Sequence, residues 1–193
     1  MKNRLNSAFG LLLGFAFVGS TAFAAFSPVK LDRTHSKVSF TAETLLFDVD
    51  GEFTNYSVQI DGNPNKPTSA TIKASIDVGS INTQNTKRDG HLKSPDFFDA
   101  AAHPKMTFTS TSIKKKGNQL IVGGNLSIRG KTKPVTIPFK VAKGKNGAGA
   151  AVTTYKGEVT INRNDFDVGK DSVAAKISLE DDVELQLLIV TFD

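Results

Sequence analysis

The sequence contains no cysteine and no tryptophan, and only three histidines and two tyrosines among its 193 residues. The absence of cysteine excludes disulfide bonds, cysteine metal ligands, thiolate catalysis and thiol redox roles. An exported chain of this composition must be stabilised by a packed core instead. A core is available at this length, because a domain of ~150 residues buries about 68–70% of its unfolded surface.

Charge of one sign is not concentrated in any part of the chain. The 24 basic and 19 acidic side chains give a formal charge of +5, which becomes +3 without Lys2 and Arg4. The densest basic cluster, Lys114 to Lys116, is followed by Gly117 and Asn118 and is typical of a solvated turn. We therefore expect no nucleic acid partner.

Motifs for catalysis and metal binding are also missing. The three histidines do not have the spacing of a zinc site, and there is no G-x-S-x-G nucleophile, glycine-rich phosphate loop or EF-hand. We predict no catalytic residue, no metal and no cofactor. The stretch Arg88 to His91 leaves one alternative open, a hydrolase that uses His91 and Asp89. The favoured interpretation of this stretch is an ion-paired, hydrogen-bonded cap on a short helix.

The first 24 residues have the three parts of a secretory signal peptide. Lys2 and Arg4 provide the positive start, residues 8–18 are apolar, and Ala22 to Ala24 form an A-x-A cleavage site. A membrane anchor is the alternative, but the apolar run is shorter than the roughly 18 residues of a spanning helix. We expect residues 1–24 to be removed, leaving one domain over 25–193 without an integral membrane segment.

Period-two alternation of apolar and polar residues recurs along the rest of the chain and predicts about eight strands. They lie in 38–42, 53–60, 70–78, 105–112, 119–129, 135–141, 151–161 and 183–192. Pro138 indicates an edge strand, a bulge or a site where the ladder splays. One or two short helices are predicted near residues 86–102, the second with Ser94 as N-cap and Pro95 at the first helical position.

Alternating strands with no long helix to cover them need a shared interior, which a closed barrel or a sandwich provides. About eight strands make a barrel that is either filled by side chains or wide enough for one small ligand. We predict an all-β antiparallel barrel whose inward apolar residues form a ligand-binding interior. These residues are Val38, Phe40, Phe53, Ile72, Ile76, Met106, Phe108, Leu126, Ile137, Phe139, Val159, Leu185 and Leu187.

Six blocks of the sequence resemble, in the same order, the sequence blocks of the YceI-like family. They are Asp32–Phe40, Val49–Phe53, Ser80–Asp99, Pro104–Ser110, Leu126–Val135 and Asn162–Phe166. The resemblance implies a lipocalin-like extended antiparallel barrel that is periplasmic and binds a polyisoprenoid tail or a similar amphiphile. It also implies a link to stress responses and to the handling of isoprenoid quinones or polyprenols.

Together these observations predict a non-catalytic protein, a monomer or homodimer, that binds, sequesters or transports a long-chain isoprenoid lipid in the periplasm. Arg88, Asp89, His91 and Arg129 are predicted to be structural or to lie at the mouth of the barrel. The cations of the turn from Arg129 to Pro134 could instead meet a phosphate head group. An outer-membrane β-barrel is a further alternative, but such proteins carry aromatic girdles that a chain without tryptophan is poorly equipped to form.

Overall fold

The computed structural model describes residues 30–62 and 66–192, so the predicted signal peptide lies outside the described residues. The described part contains two α-helices, α1 (Thr86–Lys93) and α2 (Val173–Ser178). It contains ten strands: β1 (Lys37–Thr44), β2 (Asp48–Phe53), β3 (Tyr56–Asp61), β4 (Thr71–Asp77), β5 (Ile81–Asn82), β6 (Lys105–Lys116), β7 (Gln119–Ile128), β8 (Lys131–Lys145), β9 (Ala151–Asn162) and β10 (Leu179–Phe192). The predicted all-β antiparallel architecture is confirmed.

All ten strands belong to one sheet in the order β3-β4-β6-β7-β8-β9-β10-β1-β2-β5. The two ends of this order are joined through a bend in the chain. β2 pairs with β1 near one end, and β3, which follows after Thr54 and Asn55, pairs with β4 at the other. The bent segment therefore brings the ends of the curled sheet together into a partly closed barrel.

The strand count exceeds the predicted eight because two short segments carry little alternation. The predicted strand over 53–60 corresponds to β3, whereas the preceding residues form β2. Val49 is the only apolar side chain of β2 before Phe53, so no period-two pattern marks this strand. β5 has two residues, which is too short for any periodicity.

The prediction of a second helix beginning at Ser94 is wrong. Ser94 is the C-cap of α1, with φ −71° and ψ 168°, and residues 95–102 form turns. Proline disfavours the helical conformation for the residue before it, so Pro95 ends α1 at this point. The amide groups of Phe97 and Asp99 then donate to the Ser94 carbonyl. The second helix is α2, which begins after the N-cap Ser172.

Pro138 marks a place where the ladder splays, one of the three alternatives that the sequence left open. β8 pairs with β7 along most of its length, including Pro138 opposite Ile121. Its pairing with β9 begins only at Phe139, opposite Gly157. Because proline has no amide hydrogen, it cannot donate to a second neighbouring strand.

A β-bulge in β6 changes which residues of that strand face inward. Met106 and Phe108 are buried at even positions, but the register shifts between Ser110 and Ser112, and the next buried residue is Ile113. A bulge adds one residue to one strand of a pair, so the faces exchange beyond it. The inward row of β6 is therefore even-numbered at one end and odd-numbered at the other.

Candidate ligand-binding cavity

The curled sheet encloses a cavity of about 350 Å³, within the usual size range of small-molecule sites. The structure places all thirteen predicted inward residues on its wall. Neighbouring strands align them in rows, for example Phe40 opposite Leu185 and Leu185 opposite Val159. Their location is therefore as expected, while their contact with a ligand stays a prediction.

The cavity is elongated along β1 and β10. Its lining includes alternate residues from Val38 to Thr44 on β1 and from Val183 to Ile189 on β10. Each of these rows spans six residue steps, and a strand rises about 3.3 Å per residue. The apolar wall is therefore about 20 Å long, so the cavity fits an extended chain better than a compact ring system.

Three phenylalanine rings form a row on one side of the cavity. The rings of Phe40 and Phe53 are 5.7 Å apart between centroids, and Phe53 and Phe98 are 6.1 Å apart in an edge-to-face arrangement. Phe40 lies opposite Gly51 of β2, and a Cβ atom at Gly51 would collide with the Phe40 ring and lie 3.0 Å from the Thr83 Cγ2 atom. Glycine at this position leaves the space that the ring occupies.

Several lining residues were not predicted, because they lie outside the alternating strands. They come from α1, the turns after it, the segment after β9, and α2: Leu92, Phe97, Phe98, Phe166, Val168, Ala174 and Ala175. The sequence carries a usable signal for α2, because Ser172, a preferred N-cap residue, precedes five residues of helical character. In the structure its side chain accepts a hydrogen bond from the Ala175 amide. For the turns after α1, no local pattern indicates a position against the cavity.

Arg129 joins the turns after α1 to the segment after β9. It lies in the tight turn between β7 and β8, where both Arg129 (φ 49°) and Gly130 (φ 72°) are left-handed. Its guanidinium donates to the carbonyl oxygen of Asp167 and, over 2.7 Å, to that of Pro95. These contacts support the structural interpretation of Arg129.

The lysines of the same turn are also paired with protein groups. Lys131 lies 3.2 Å from the carboxylate of Asp167, and Lys133 lies 3.5 Å from that of Asp165. The hydrogen bond from Lys131 holds the pKa of Asp167 below its usual value. These contacts give no support to the alternative in which the cations of this turn meet a phosphate head group.

Arg88 and Asp89 both contact Thr83, which follows β5. The Asp89 carboxylate accepts hydrogen bonds from the Thr83 amide (2.9 Å) and hydroxyl (2.6 Å). Arg88 donates from Nε to the Thr83 hydroxyl oxygen and from Nη2 to the Thr83 carbonyl oxygen, each over 2.8 Å. The start of α1 is thereby held against the end of β5, and Arg88 borders the cavity.

His91 also borders the cavity, but it does not act together with Asp89. Its Nε2 atom lies 3.3 Å from the Asp96 carboxylate, and its ring packs edge-on against Phe97 at 4.9 Å. The pair on which a hydrolase would depend is therefore divided between different partners. Within residues 30–62 and 66–192, no group of three or more His, Asp or Glu side chains is arranged to hold a metal ion.

Arg163 is a second arginine on the cavity wall, and it is saturated with protein acceptors. It donates to the carbonyl oxygens of Val168, Leu179 and Glu180 and to the side chains of Asn164 and Asp181. Its side chain is 7% exposed, and the Asp181 carboxylate lies 2.8 Å away. Arg163 therefore joins the segment after β9 to the start of β10.

Exposed apolar side chains lie next to residues of the cavity lining, on α2 and in the turn beside it. We call them the apolar rim: Leu45, Leu46 and Phe47 in the turn between β1 and β2, with Val173 and Ile177 on α2, all at least 61% exposed. The amide of Leu45 donates to the Ser178 carbonyl oxygen over 3.0 Å. Thr44 and Ser178, next to this contact, line the cavity, so the apolar rim adjoins the cavity at this point.

The apolar rows of the strands face the interior, the reverse of the outward apolar band that an outer-membrane barrel carries. On β6, for example, Met106 and Phe108 are buried while Lys105, Thr107 and Thr109 are exposed. In the described part of the chain, none of the helices is long and apolar enough to cross a membrane.

The fold and the cavity define a class of protein: an antiparallel sheet curled around an elongated apolar interior. The chain belongs to the YceI-like domain family, whose model matches residues 30–191. It is 32% identical over 176 residues to Protein YceI of Salmonella agona (strain SL483), covering 88% of this chain and 92% of that one. It is 34% identical over 168 residues to Protein YceI of Escherichia coli O6:H1, covering 83% and 87%.

Solved structures share this architecture. The crystal structure of Burkholderia cenocepacia BcnA superposes with a TM-score of 0.75 at 31% identity, covering 83% of this chain and 99% of that one. A polyisoprenoid binding domain from Saccharophagus degradans superposes with a TM-score of 0.65, covering 84% and 96%. At 16% identity, the second likeness shows the fold alone.

Proposed function

We propose that the protein binds the tail of a long-chain isoprenoid lipid, of the quinone or polyprenol type, in the cavity of the curled sheet. It sequesters or carries this lipid through the periplasm, in connection with stress responses, and leaves it chemically unchanged. The observation that carries the proposal is the continuous apolar wall, about 20 Å long, formed by alternate residues of β1 and β10 together with the inward rows of the other strands.

The length of the wall is suited to a tail of several isoprene units. An extended chain advances about 3.3–3.6 Å for every three bonds, so about 20 Å holds roughly seventeen bonds, which is slightly more than four isoprene units. Burial of about ten methylene-sized groups gives roughly 8 kcal/mol before ordering costs. That gross energy corresponds to a Kd on the order of micromolar, and a longer tail would bind more tightly.

Two further observations support binding without catalysis. Asp89 and His91 are engaged with Thr83 and Asp96 respectively, so neither is presented to a ligand as an acid–base pair. The Saccharophagus degradans protein that shares the fold is described as a polyisoprenoid binding domain, which agrees with an isoprenoid as the ligand class. The periplasmic location depends on the predicted signal peptide over residues 1–24.

The test is native mass spectrometry of the full chain expressed with its own N-terminus and purified from the periplasmic fraction. We expect a chain that begins near Ala25 and carries one extractable long-chain amphiphile, recovered chemically intact. Delipidated protein should then take up added menaquinone-4 or geranylgeraniol at one molecule per chain. If no lipid is extracted and neither compound is taken up, the proposed function is wrong. Conversion of the compound during incubation would contradict the non-catalytic part.

A further inference from the structure

Exposed apolar side chains are concentrated at one place on this protein. Within residues 30–62 and 66–192, the valine, leucine, isoleucine, methionine and phenylalanine side chains that are exposed to solvent are the five of the apolar rim. Single exposed apolar residues are ordinary, but a contiguous group marks a surface that contacts another protein or a membrane. Whether the five side chains are contiguous is therefore the first question.

The two parts of the apolar rim are adjacent. Val173 and Ile177 are four residues apart on α2 and so lie on one face of the helix. Ser178 directly follows Ile177, and its carbonyl oxygen accepts a hydrogen bond from the Leu45 amide over 3.0 Å. The turn between β1 and β2 and the apolar face of α2 therefore form one patch.

The turn between β1 and β2 is suited to an environment that contains little water. Three of the four amides in residues 44–47 donate to oxygens of the protein. The Thr44 amide donates to the Phe47 carbonyl oxygen over 3.2 Å, and the Phe47 amide donates to the Thr44 hydroxyl oxygen over 3.3 Å. The third is the Leu45 amide, which is bonded to Ser178. Polar groups that already have partners cost less to remove from water.

The charges around the apolar rim are few and of both signs. Residues 44–47 carry no charged side chain, and Glu43 and Asp48 flank them. The only charged side chain of α2 is Lys176, whose flexible stem allows its ammonium group to stay in water. Such an arrangement attracts neither an anionic nor a cationic partner strongly. The apolar side chains therefore supply the contact energy.

A lipid surface fits the apolar rim better than a second copy of the chain does. A stable protein interface uses about 20–30 residues on each side, whereas the rim offers five apolar side chains. An apolar face enters the boundary between head groups and acyl chains without a matching surface. Residues 25–29, which precede Lys30, do not reach the rim. Lys30 is bonded to Phe192, about 40 Å along β10 from Leu179, and five residues span at most about 18 Å.

We propose that the apolar rim docks on the surface of a phospholipid bilayer, with its side chains in the boundary between head groups and acyl chains. The proposal goes beyond the proposed function, because it names the phase with which the protein exchanges its ligand. Only this exchange rests on the proposed function. Thr44 and Ser178, beside the rim, line the cavity. A tail that moves between bilayer and cavity at this place therefore exposes less apolar surface to water.

Docking is measured by flotation with phosphatidylcholine vesicles. The protein is purified from the periplasmic fraction, where its mass shows that residues 1–24 have been removed, and it is delipidated. We expect the wild type to float with the vesicles. The double substitution Leu46→Ser and Phe47→Ser should lower the partition coefficient about 10- to 100-fold. Binding should change by less than about twofold when salt rises from 50 to 500 mM, or when phosphatidylglycerol replaces part of the phosphatidylcholine.

Ile121→Ser is the matched control for the loss of an apolar side chain. Ile121 lies on β7, is half-buried and does not line the cavity, and β8 and β9 separate its strand from β10 in the sheet order. This substitution should leave vesicle binding unchanged. Thermal unfolding shows whether each variant is folded.

The exchange of lipid gives a second measurement. Leu46 and Phe47 do not line the cavity, so the double variant should keep its affinity for dissolved geranylgeraniol within about twofold. Its uptake of menaquinone-4 from vesicles should be about 10-fold slower than that of the wild type, because fewer molecules are docked at any time. An equal uptake rate would contradict exchange through a docked state.

The absence of cysteine from the chain allows insertion to be measured at single positions. An environment-sensitive fluorophore attached to Leu46→Cys should shift to shorter wavelength when vesicles are added. The same fluorophore on Lys73→Cys, at an exposed position of β4, should not shift. This result does not depend on the folding of the double variant.

The outcomes separate docking from the proposed function. The docking proposal is wrong if the wild type does not float, if the fluorophore on Leu46→Cys does not shift, or if binding requires anionic lipid. It is also wrong if the protein is a dimer that the double substitution converts to a monomer, since the rim would then join two copies. Uptake of geranylgeraniol would still support the proposed function in each case. Docking without uptake of any isoprenoid compound would refute the proposed function and leave docking in place.

Discussion

The substitution Ala74→Phe tests whether the interior of the sheet is a space for a ligand or a core with a small packing gap. Ala74 lies on β4 between its register partners Val58 of β3 and Phe108 of β6, and its side chain lines the cavity. The change adds six carbon atoms to a cavity of about 350 Å³. A bound tail must therefore withdraw a similar number of its methylene-sized groups from the cavity. At about 0.8 kcal/mol for each methylene-sized group, the affinity loses up to about 5 kcal/mol.

A tail that slides along the wall recovers part of this loss. If it recovers half, the remaining loss of about 2.5 kcal/mol still weakens binding about 70-fold. The stability of the lipid-free protein should change in the opposite direction. Filling an empty apolar space with a ring buries new apolar surface, and phenylalanine also suits a strand better than alanine. We therefore expect the free energy of unfolding to stay constant or to rise by about 1 kcal/mol.

The assay is calorimetric binding of geranylgeraniol combined with thermal unfolding of the delipidated protein. Lys73→Phe is the control, because it adds the same ring to the outer, exposed face of the same strand and should leave lipid affinity unchanged. If the interior were packed solid, Ala74→Phe would force strain and cost about 1–3 kcal/mol, which lowers Tm by several degrees. A destabilised Ala74→Phe protein with undiminished lipid affinity would refute the assignment of this space to a ligand.

Three further outcomes are expected. Arg163→Met should lower the free energy of unfolding by about 3–5 kcal/mol, measured by urea denaturation, because it leaves buried carbonyl oxygens without donors; a change below about 1 kcal/mol would contradict this. The double substitution Leu45→Cys and Ser178→Cys should form a disulfide, since these residues continue the register of β1 with β10 and facing residues lie about 4.5–5.5 Å apart. The disulfide should slow lipid uptake until it is reduced, and equal uptake rates would place the entrance elsewhere. The hydrogen bond from Lys131 lowers the pKa of Asp167, so its contribution to stability is present above about pH 4 and is lost as the pH falls through the lowered pKa. The difference in Tm between wild type and Asp167→Asn should therefore be greater at pH 7 than at pH 2, and a constant difference would count against it.

The inward faces of the strands could be predicted from the sequence because a strand has a period of two and the wall of the cavity is apolar. Positions such as Ile72 and Ile76, or Leu185 and Leu187, alternate with polar residues, and the structure places them all on the cavity wall. The pattern holds wherever the pairing register continues without interruption. Fold class and wall residues therefore follow from local sequence together with the need for a shared interior.

The features that were not predicted depend on contacts between distant segments. The bulge between Ser110 and Ser112 moves the inward row of β6 to odd positions. The alternation of residues before the bulge does not predict this change. The bend at Thr54 and Asn55 sends β2 and β3 toward opposite ends of the sheet order, although the two strands are neighbours in the sequence. Closure of the barrel is thus decided by pairing partners that local sequence patterns do not reveal.

Arg88 and Arg163 show why site residues are harder to infer than wall residues. Both lie in polar stretches of sequence, both border the same cavity, and residue type alone assigns them the same chemistry. They differ only in the number of protein oxygens within reach, which is set by how α1 and the segment after β9 fold back on the barrel. Arg163 donates all five of its N–H groups to protein oxygens, whereas Arg88, among the described residues, donates only from Nε and Nη2. A polar group on an apolar wall is therefore a candidate contact in proportion to the hydrogen bonds that the protein leaves unmade.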